Sequence, residues 1–291
     1  MSADGRPIQV NGISLHVAEQ GEGSPVVLIH GWPDSGELWR NQVPFLASHG
    51  FRVVVPDMRG FGQSDRPDGV AAYSLLNAVA DVTGILDELG IEAAHVVGHD
   101  WGAAVAWLTA MFQPGRVRRL VVVSVPHPLA PQTLRQREMA WYQLFFQFEG
   151  VAEASLQADD WALFRTLTRG DGDTERYIAD LSRPGALTAS LNWYRANLAP
   201  RMPGPSMELP PVSAPTLGIW STRDYYLDGE RMRQSGECVA GPWCYVEIPD
   251  ASHWVPLDAA GRLNELLLDW LTADNGLSRR PGLDAAAPGR A

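Results

Sequence analysis

Apolar residues fall into two rhythms along this chain, and the change from one to the other divides it. Short apolar runs at 8–10, 13–19, 25–29, 51–55, 93–97 and 117–123 read as strands, and the Val-rich ones are continuous rather than alternating. Between them, three- and four-residue spacing marks helices over 38–48, 75–89 and 101–112; Leu75, Val79, Val82, Leu86 and Leu89 trace one apolar face. Strands buried on both faces and separated by helices predict a mostly parallel central sheet flanked by helices, an α/β class. From about 128 to 210 the strand signals stop, and helical windows at 134–148, 157–169, 174–181 and 186–197 replace them. Pro126, Pro128 and Pro131 mark the entry to this segment, and the Pro-rich stretch 200–215 marks its exit. Strands return at 215–220 and 245–248, and an amphipathic helix over 258–271 follows. The expected organisation is a core of 1–128 and 211–273, a helical cap inserted at 129–210, and a disordered tail at 274–291.

The chemistry is concentrated where the run 93–97 ends. Gly98-His99-Asp100-Trp101-Gly102 stands between that strand and an Ala-rich helix, the setting of a nucleophile elbow, in which a sharp turn lifts one side chain above the sheet edge. The central residue is Asp100. A serine there would attack a carbonyl; on a saturated carbon it would form an ether that water does not release. A carboxylate attacking a saturated carbon forms an ester, which activated water can cleave. Asp100 therefore points to displacement at an sp³ carbon bearing a strained or good leaving group, as in an epoxide or alkyl halide. The bland alternative is an aspartate that caps the helix.

Partners follow in the chain order of such a fold, nucleophile, acid, then histidine. Asp224 lies just after the strand at 215–220, with Asp228 close enough to compete for the same role, and His253 lies between the last strand and the last helix. A histidine can take a proton from water while an aspartate orients it. Backbone N–H groups of Trp101, after the nucleophile, and of Trp32, in His30-Gly31-Trp32-Pro33, are the expected oxyanion donors. The state of the Trp32–Pro33 peptide bond is open at this point. His30, His99 and Asp250 read as scaffold.

Composition narrows the partners. With 291 residues, 45% of them hydrophobic, the chain can bury a sizeable core. A formal net charge of −11 argues against nucleic acid or an anionic membrane. All the positive charge comes from Arg, since there is no Lys. No apolar leader or membrane-length run is evident, so the cytoplasm is the expected compartment. Cys238 and Cys244 are expected to be reduced, and no cofactor or metal is required. The oligomeric state is open, and a homodimer is compatible with the sequence.

From about residue 8 to 271 the chain resembles the epoxide hydrolases of the α/β-hydrolase fold. The resemblance rests on His30-Gly31-Trp32-Pro33, on Asp57-Met58-Arg59-Gly60-Phe61-Gly62-Gln63-Ser64-Asp65, on the elbow, on Pro126-His127-Pro128 and on the His253 loop. Its most selective parts are Trp141-Tyr142-Gln143-Leu144 and Asn192-Trp193-Tyr194-Arg195. In similar motifs of that family the tyrosines reach from the cap into the site, so the resemblance nominates Tyr142 and Tyr194. The chemistry agrees: ring opening creates a basic alkoxide, and a tyrosine protonated at pH 7 can donate to it. The implied reaction converts an apolar epoxide and water to a vicinal diol through an Asp100 ester, with Trp32, Trp101, Trp193, Trp254 and Phe145 as expected lining. Two other readings remain. A haloalkane dehalogenase would share Asp100 and His253 and use Trp101 with Trp141, Trp161 or Trp193 as halide donors. A non-catalytic ligand-binding protein on the same fold is the other.

Overall fold

Two reversals near the N-terminus set the edge of an otherwise parallel sheet. The computed structural model describes residues 5–199 and 208–273. In it, β1 (Arg6–Val10) and β2 (Ile13–Gln20) form an antiparallel pair, and β2 runs antiparallel to β4 (Phe51–Pro56). From β4 onward every pairing is parallel, through β3 (Ser24–Ile29), β5 (Ala94–His99), β6 (Val117–Val123), β7 (Thr216–Ser221) and β8 (Trp243–Ile248). The strand order is β1-β2-β4-β3-β5-β6-β7-β8. Neighbours β3, β5 and β6 place their C-terminal ends side by side, and this is where ligands bind in sheets of this kind. The Val-rich strands are buried along nearly their whole length, as continuous apolar runs require.

Helices α1 (Gln42–Ser48), α2 (Leu75–Glu88) and α3 (Trp101–Phe112) connect the strands. The helix expected over 38–48 is split into a 3-10 turn at Gly36–Trp39 and α1. Pro44 accounts for this: it cannot donate to an interior turn, but it fits the first turn of a helix beginning at Gln42. Among the described residues, five helices lie between β6 and β7: α4 (Leu134–Met139), α5 (Trp141–Phe145), α6 (Val151–Thr168), α7 (Thr174–Leu181) and α8 (Ala186–Leu198). The single helix expected over 134–148 breaks at Ala140, where ψ is 16°. The window at 157–169 begins earlier and is interrupted, since Asp159, Asp160 and Trp161 take left-handed backbone. Helix α9 (Gly229–Gln234) follows β7, and α10 (Val255–Asp258) and α11 (Ala260–Thr272) follow β8. The tail at 274–291, and 200–207 of the Pro-rich exit, lie outside the described residues. No helix among the described residues is long and apolar enough to cross a membrane.

The inserted helices are fastened to the core by polar contacts, several of them to the loop that follows β3. Asp34, two residues past Trp32, is nearly fully buried; it accepts the Tyr177 hydroxyl at 2.8 Å and pairs with Arg176, both from α7. Arg40 pairs with Asp173 at 2.6 Å. The Trp32 and Trp193 indole N–H groups donate to Ser190 Oγ at 3.2 Å and to the Arg59 carbonyl at 3.1 Å. Within the insert, Arg195 holds Glu153 through two bonds of 2.8 and 2.9 Å and donates to the Phe146 carbonyl at 2.9 Å. Because Arg195 follows Tyr194, this bidentate pair fixes the segment that carries the tyrosine.

Candidate active site

β5 ends at His99 and α3 begins at Trp101, so Asp100 makes the turn by itself. Its backbone stands at φ 53° and ψ −124°, a sparsely populated conformation for a residue with a side chain. The flanking glycines are required by close approach. A Cβ on Gly98 would lie 2.2 Å from the Gly102 carbonyl oxygen, and one on Gly102 would lie 2.0 Å from that of Ile29. The Asp100 carbonyl accepts the Ala103 N–H at 2.9 Å and starts the helix, but its side chain makes no capping bond. The carboxylate is free to face the other way.

There it meets donors and a charge. Oδ1 accepts the Trp32 N–H at 2.8 Å, and the neighbouring Trp101 N–H also favours the charged carboxylate. Oδ2 lies 3.6 Å from His253 Nε2. His253 sits between β8 and α10, and its Nδ1 donates to Asp224 Oδ2 at 2.8 Å. The other Asp224 oxygen accepts the N–H groups of Tyr226 and Leu227 at 2.8 and 3.0 Å, so the loop after β7 holds this carboxylate in one orientation. Asp228 is occupied elsewhere: it caps α9 through the Glu230 N–H at 3.2 Å and accepts the Thr133 hydroxyl at 2.6 Å. Burial works against both charges, yet each is held by the other. His253 is pushed up to about 10, because Asp224 and Asp100 outweigh its desolvation. Asp100 is held below the usual carboxylate range, because His253 and the backbone donors outweigh burial. The resting pair is an imidazolium and a carboxylate.

The scaffold histidines have backbone partners. His30 Nε2 accepts the Met58 N–H at 2.9 Å and its Nδ1 faces the Gly31 carbonyl at 3.0 Å. His99 Nε2 donates to the His253 carbonyl at 2.9 Å, and burial lowers its pKa to about 4. Asp250 takes a left-handed turn, with φ 61°, and donates its N–H to Thr222 Oγ1 at 3.0 Å. The Trp32–Pro33 peptide bond is cis.

Tyr142 from α5 and Tyr194 from α8 are buried with ring centroids 5.9 Å apart. Both line two cavities that also share Asp100. The larger, about 330 Å³, is bounded further by Trp101, Leu108, Val125 and Leu198. The smaller, about 20 Å³, is closed by Trp32, His253, Trp254 and Tyr226, and has room for one water molecule. Burial raises the pKa of both tyrosines, and the Asp100 charge raises them further, so both hydroxyls keep their protons at neutral pH. Asp100 thus stands between fixed N–H donors and His253 on one side and two protonated phenols in the same cavities.

Two expected lining residues are corrected. Phe145 borders neither cavity and packs against Trp141 and Phe146. On a helix its neighbour Phe146, four residues after Tyr142, shares that face; it is fully buried, with its ring 4.9 Å from Tyr194 and 5.3 Å from Trp32. Trp193 also borders neither cavity. Its N–H is committed to Arg59, and its ring lies 5.9 Å from Trp101, behind that wall. Trp32, Trp101 and Trp254 do border the cavities. Trp141 is 53% exposed, and Trp161 packs on Phe164 at 5.5 Å, away from both. One further residue had gone unremarked: Tyr226, whose ring is 5.2 Å from His253 and whose hydroxyl donates to the Leu167 carbonyl at 2.7 Å. Its signal was position alone, two residues after Asp224.

Comparison with known proteins agrees with this architecture. A family model described as the alpha/beta hydrolase fold matches residues 24–184. Epoxide hydrolase A of Mycobacterium tuberculosis is 34% identical, covering 92% of this chain and 97% of that protein. The AB hydrolase superfamily protein YfhM of Bacillus subtilis is also 34% identical, covering 91% and 96%. The crystal structure of epoxide hydrolase A from Mycobacterium thermoresistibile superposes with a TM-score of 0.76 at 30% identity, over 92% of this chain and 97% of that one. An α/β-hydrolase described among novel epoxide hydrolases from hot-environment metagenomes gives a TM-score of 0.84 at 29% identity, over 94% and 100%. The chain belongs to the α/β-hydrolase fold family, in the group that contains the epoxide hydrolases.

Proposed function

We propose that this protein hydrolyses apolar epoxides to vicinal diols through a covalent ester on Asp100, with residues 129–210 acting as a cap over the site. The observation that carries this reading is the sharing of one pair of cavities by Asp100, Tyr142 and Tyr194. Asp100 Oδ2 attacks a ring carbon while a tyrosine hydroxyl gives its proton to the departing ring oxygen. The resulting phenolate recovers a proton from the His253 imidazolium, which leaves His253 neutral only once Asp100 has spent its charge. His253 then takes a proton from water as that water attacks the ester carbonyl. The Trp32 and Trp101 N–H groups, already 2.8 Å from Oδ1 in the first case, hold the developing oxyanion. Collapse releases the diol and restores the carboxylate and the imidazolium, so atoms and charge balance. Asp224 orients the imidazole throughout. The partners are a small epoxide and water, and we place the reaction in the cytoplasm.

Against halide displacement stand the cap indoles: Trp193 is bonded to Arg59, Trp141 is exposed and Trp161 packs elsewhere, so none is available beside Trp101. Against a mere binder stands the set of acid, base and proton donors assembled around one carboxylate. The direct test compares diol formation from styrene oxide with halide release from a short bromoalkane. Diol without halide is expected; halide alone would overturn the reading.

The charge pairing also predicts a pH dependence. The His253 imidazolium stabilises the fold fully below about pH 6.5, and that stabilisation is lost as pH rises through about 10. Esterification removes the Asp100 charge, so His253 in the ester titrates below that value, with Asp224 as its remaining anion. In single-turnover measurements ester hydrolysis is therefore expected to accelerate with rising pH and level off before about pH 10. A rate that falls over the same range would contradict His253 as the base.

A further inference from the structure

The larger cavity carries a cation that the proposed chemistry does not use. Arg231, on α9, is buried and lines this cavity with Asp100. Its Nε donates to the Pro131 carbonyl at 3.0 Å and its Nη2 to the Ala130 carbonyl at 3.2 Å. Both acceptors are neutral, and Nη1 has no acceptor among the described residues. No carboxylate pairs with it among those residues; nearby Asp228 is engaged by Thr133 and the Glu230 N–H. A buried guanidinium with no carboxylate bonded to it is costly, and the carbonyl dipoles together with the nearby Asp228 charge offset only part of that cost. A second cation, Arg137 of α4, borders the same cavity, is exposed, and makes no side-chain hydrogen bond or ion pair among the described residues. Apart from Asp100, no acidic residue is in the wall among the described residues, and the wall is otherwise largely apolar. Gln136 keeps this wall rigid through bonds of 2.9 Å to the Tyr226 carbonyl and from the Asp228 N–H.

Resting on the epoxide reading, we propose that Arg231, assisted by Arg137, forms a carboxylate-binding subsite, and that the preferred substrates are epoxides whose apolar body carries a carboxylate. A carboxylate would supply the directly bonded counter-ion that Asp228 does not, and accept charge-assisted bonds from the open edge of Arg231. A neutral acceptor would satisfy the hydrogen bond and leave the charge uncompensated. The net charge of −11 does not attract anions from a distance, so this selectivity acts at contact and not through steering.

The test uses terminal epoxyalkanoates of increasing chain length, each beside its neutral primary amide, with styrene oxide as a reference. The wild-type protein is expected to favour the acid over the amide by about ten-fold or more in kcat/KM at the fitting length, mainly through KM. In Arg231→Gln that ratio falls to about one, in Arg231→Lys it is largely kept, and in Arg137→Gln it is reduced. The ratio is read within each variant, so a general loss of activity divides out. Equal turnover of acid and amide by the wild-type protein at every length overturns the subsite, as does an acid preference that survives Arg231→Gln. Should Arg231→Gln fail to fold, the wild-type ratio and Arg137→Gln decide. A protein that opens no epoxide at all, styrene oxide included, overturns the hydrolase reading and the subsite with it.

Discussion

Asp100→Ala is expected to lower epoxide turnover by at least about four orders of magnitude, the scale seen when a covalent nucleophile is removed. The side chain does not cap α3, so its removal should leave the fold in place, and the thermal transition should stay cooperative. His253→Gln should fail differently. Glutamine keeps the volume but cannot serve as the base, so the first half-reaction proceeds and the second stops. The protein would then gain the mass of one substrate per chain, visible by intact-protein mass spectrometry, with a burst of substrate loss and little diol. Two variants at residues whose charged atoms lie 3.6 Å apart would thus separate the half-reactions. Mass addition absent from His253→Gln, with diol still formed slowly, would argue for direct attack by water.

The second large effect lies on the leaving-group side. Tyr142→Phe together with Tyr194→Phe removes both hydroxyl donors while keeping the rings that pack on Trp101, Phe146 and each other. Loss of general-acid assistance is expected to slow ring opening by about 10²- to 10⁴-fold. Each single variant should lose less, since the partner can still donate. The burden falls on the alkylation step, so an ester formed by other means should still hydrolyse at a near-normal rate. Rapid alkylation of the double variant would remove the tyrosines from the account.

How much of this was legible in the chain depends on whether local or tertiary physics decides the feature. The elbow was legible because strand, Gly-x-Asp-x-Gly and helix are adjacent in sequence, and the strain at Asp100 can be met only by glycines packed where a Cβ has no room. The Val-rich strands were legible because burial on both faces favours continuous apolar runs, interrupted in β5 by His95 and His99 and in β6 by Arg118 and Arg119. Position favours Asp224 over its competitor Asp228, and their partners separate them: one sees His253 and the other caps a helix that begins beside it. Phe145 and Phe146 differ by about 100° around a helix, and the break at Ala140 reset that phase, so Phe146 and not Phe145 packs on Tyr194 and Trp32, while neither ring borders the cavities. Trp193 was placed in the cavity because aromatic residues suit apolar ligands. Its indole instead bridges the insert to Arg59, a contact made between residues 134 positions apart. Tyr226 had only its position after Asp224 as a signal and Arg231 had none; each acquires meaning only where the loop after β7 meets the inserted helices.

Everything catalytic here requires one oxygen of Asp100 to pass into the product. Turnover in water enriched in heavy oxygen tests this most directly, with the peptide containing Asp100 analysed by mass spectrometry after many cycles. Ester formation followed by attack at the carboxyl carbon predicts heavy oxygen in the Asp100 carboxylate, and a first-turnover diol whose new oxygen is unlabelled. Heavy oxygen in the first diol, with none in Asp100, would contradict the covalent mechanism.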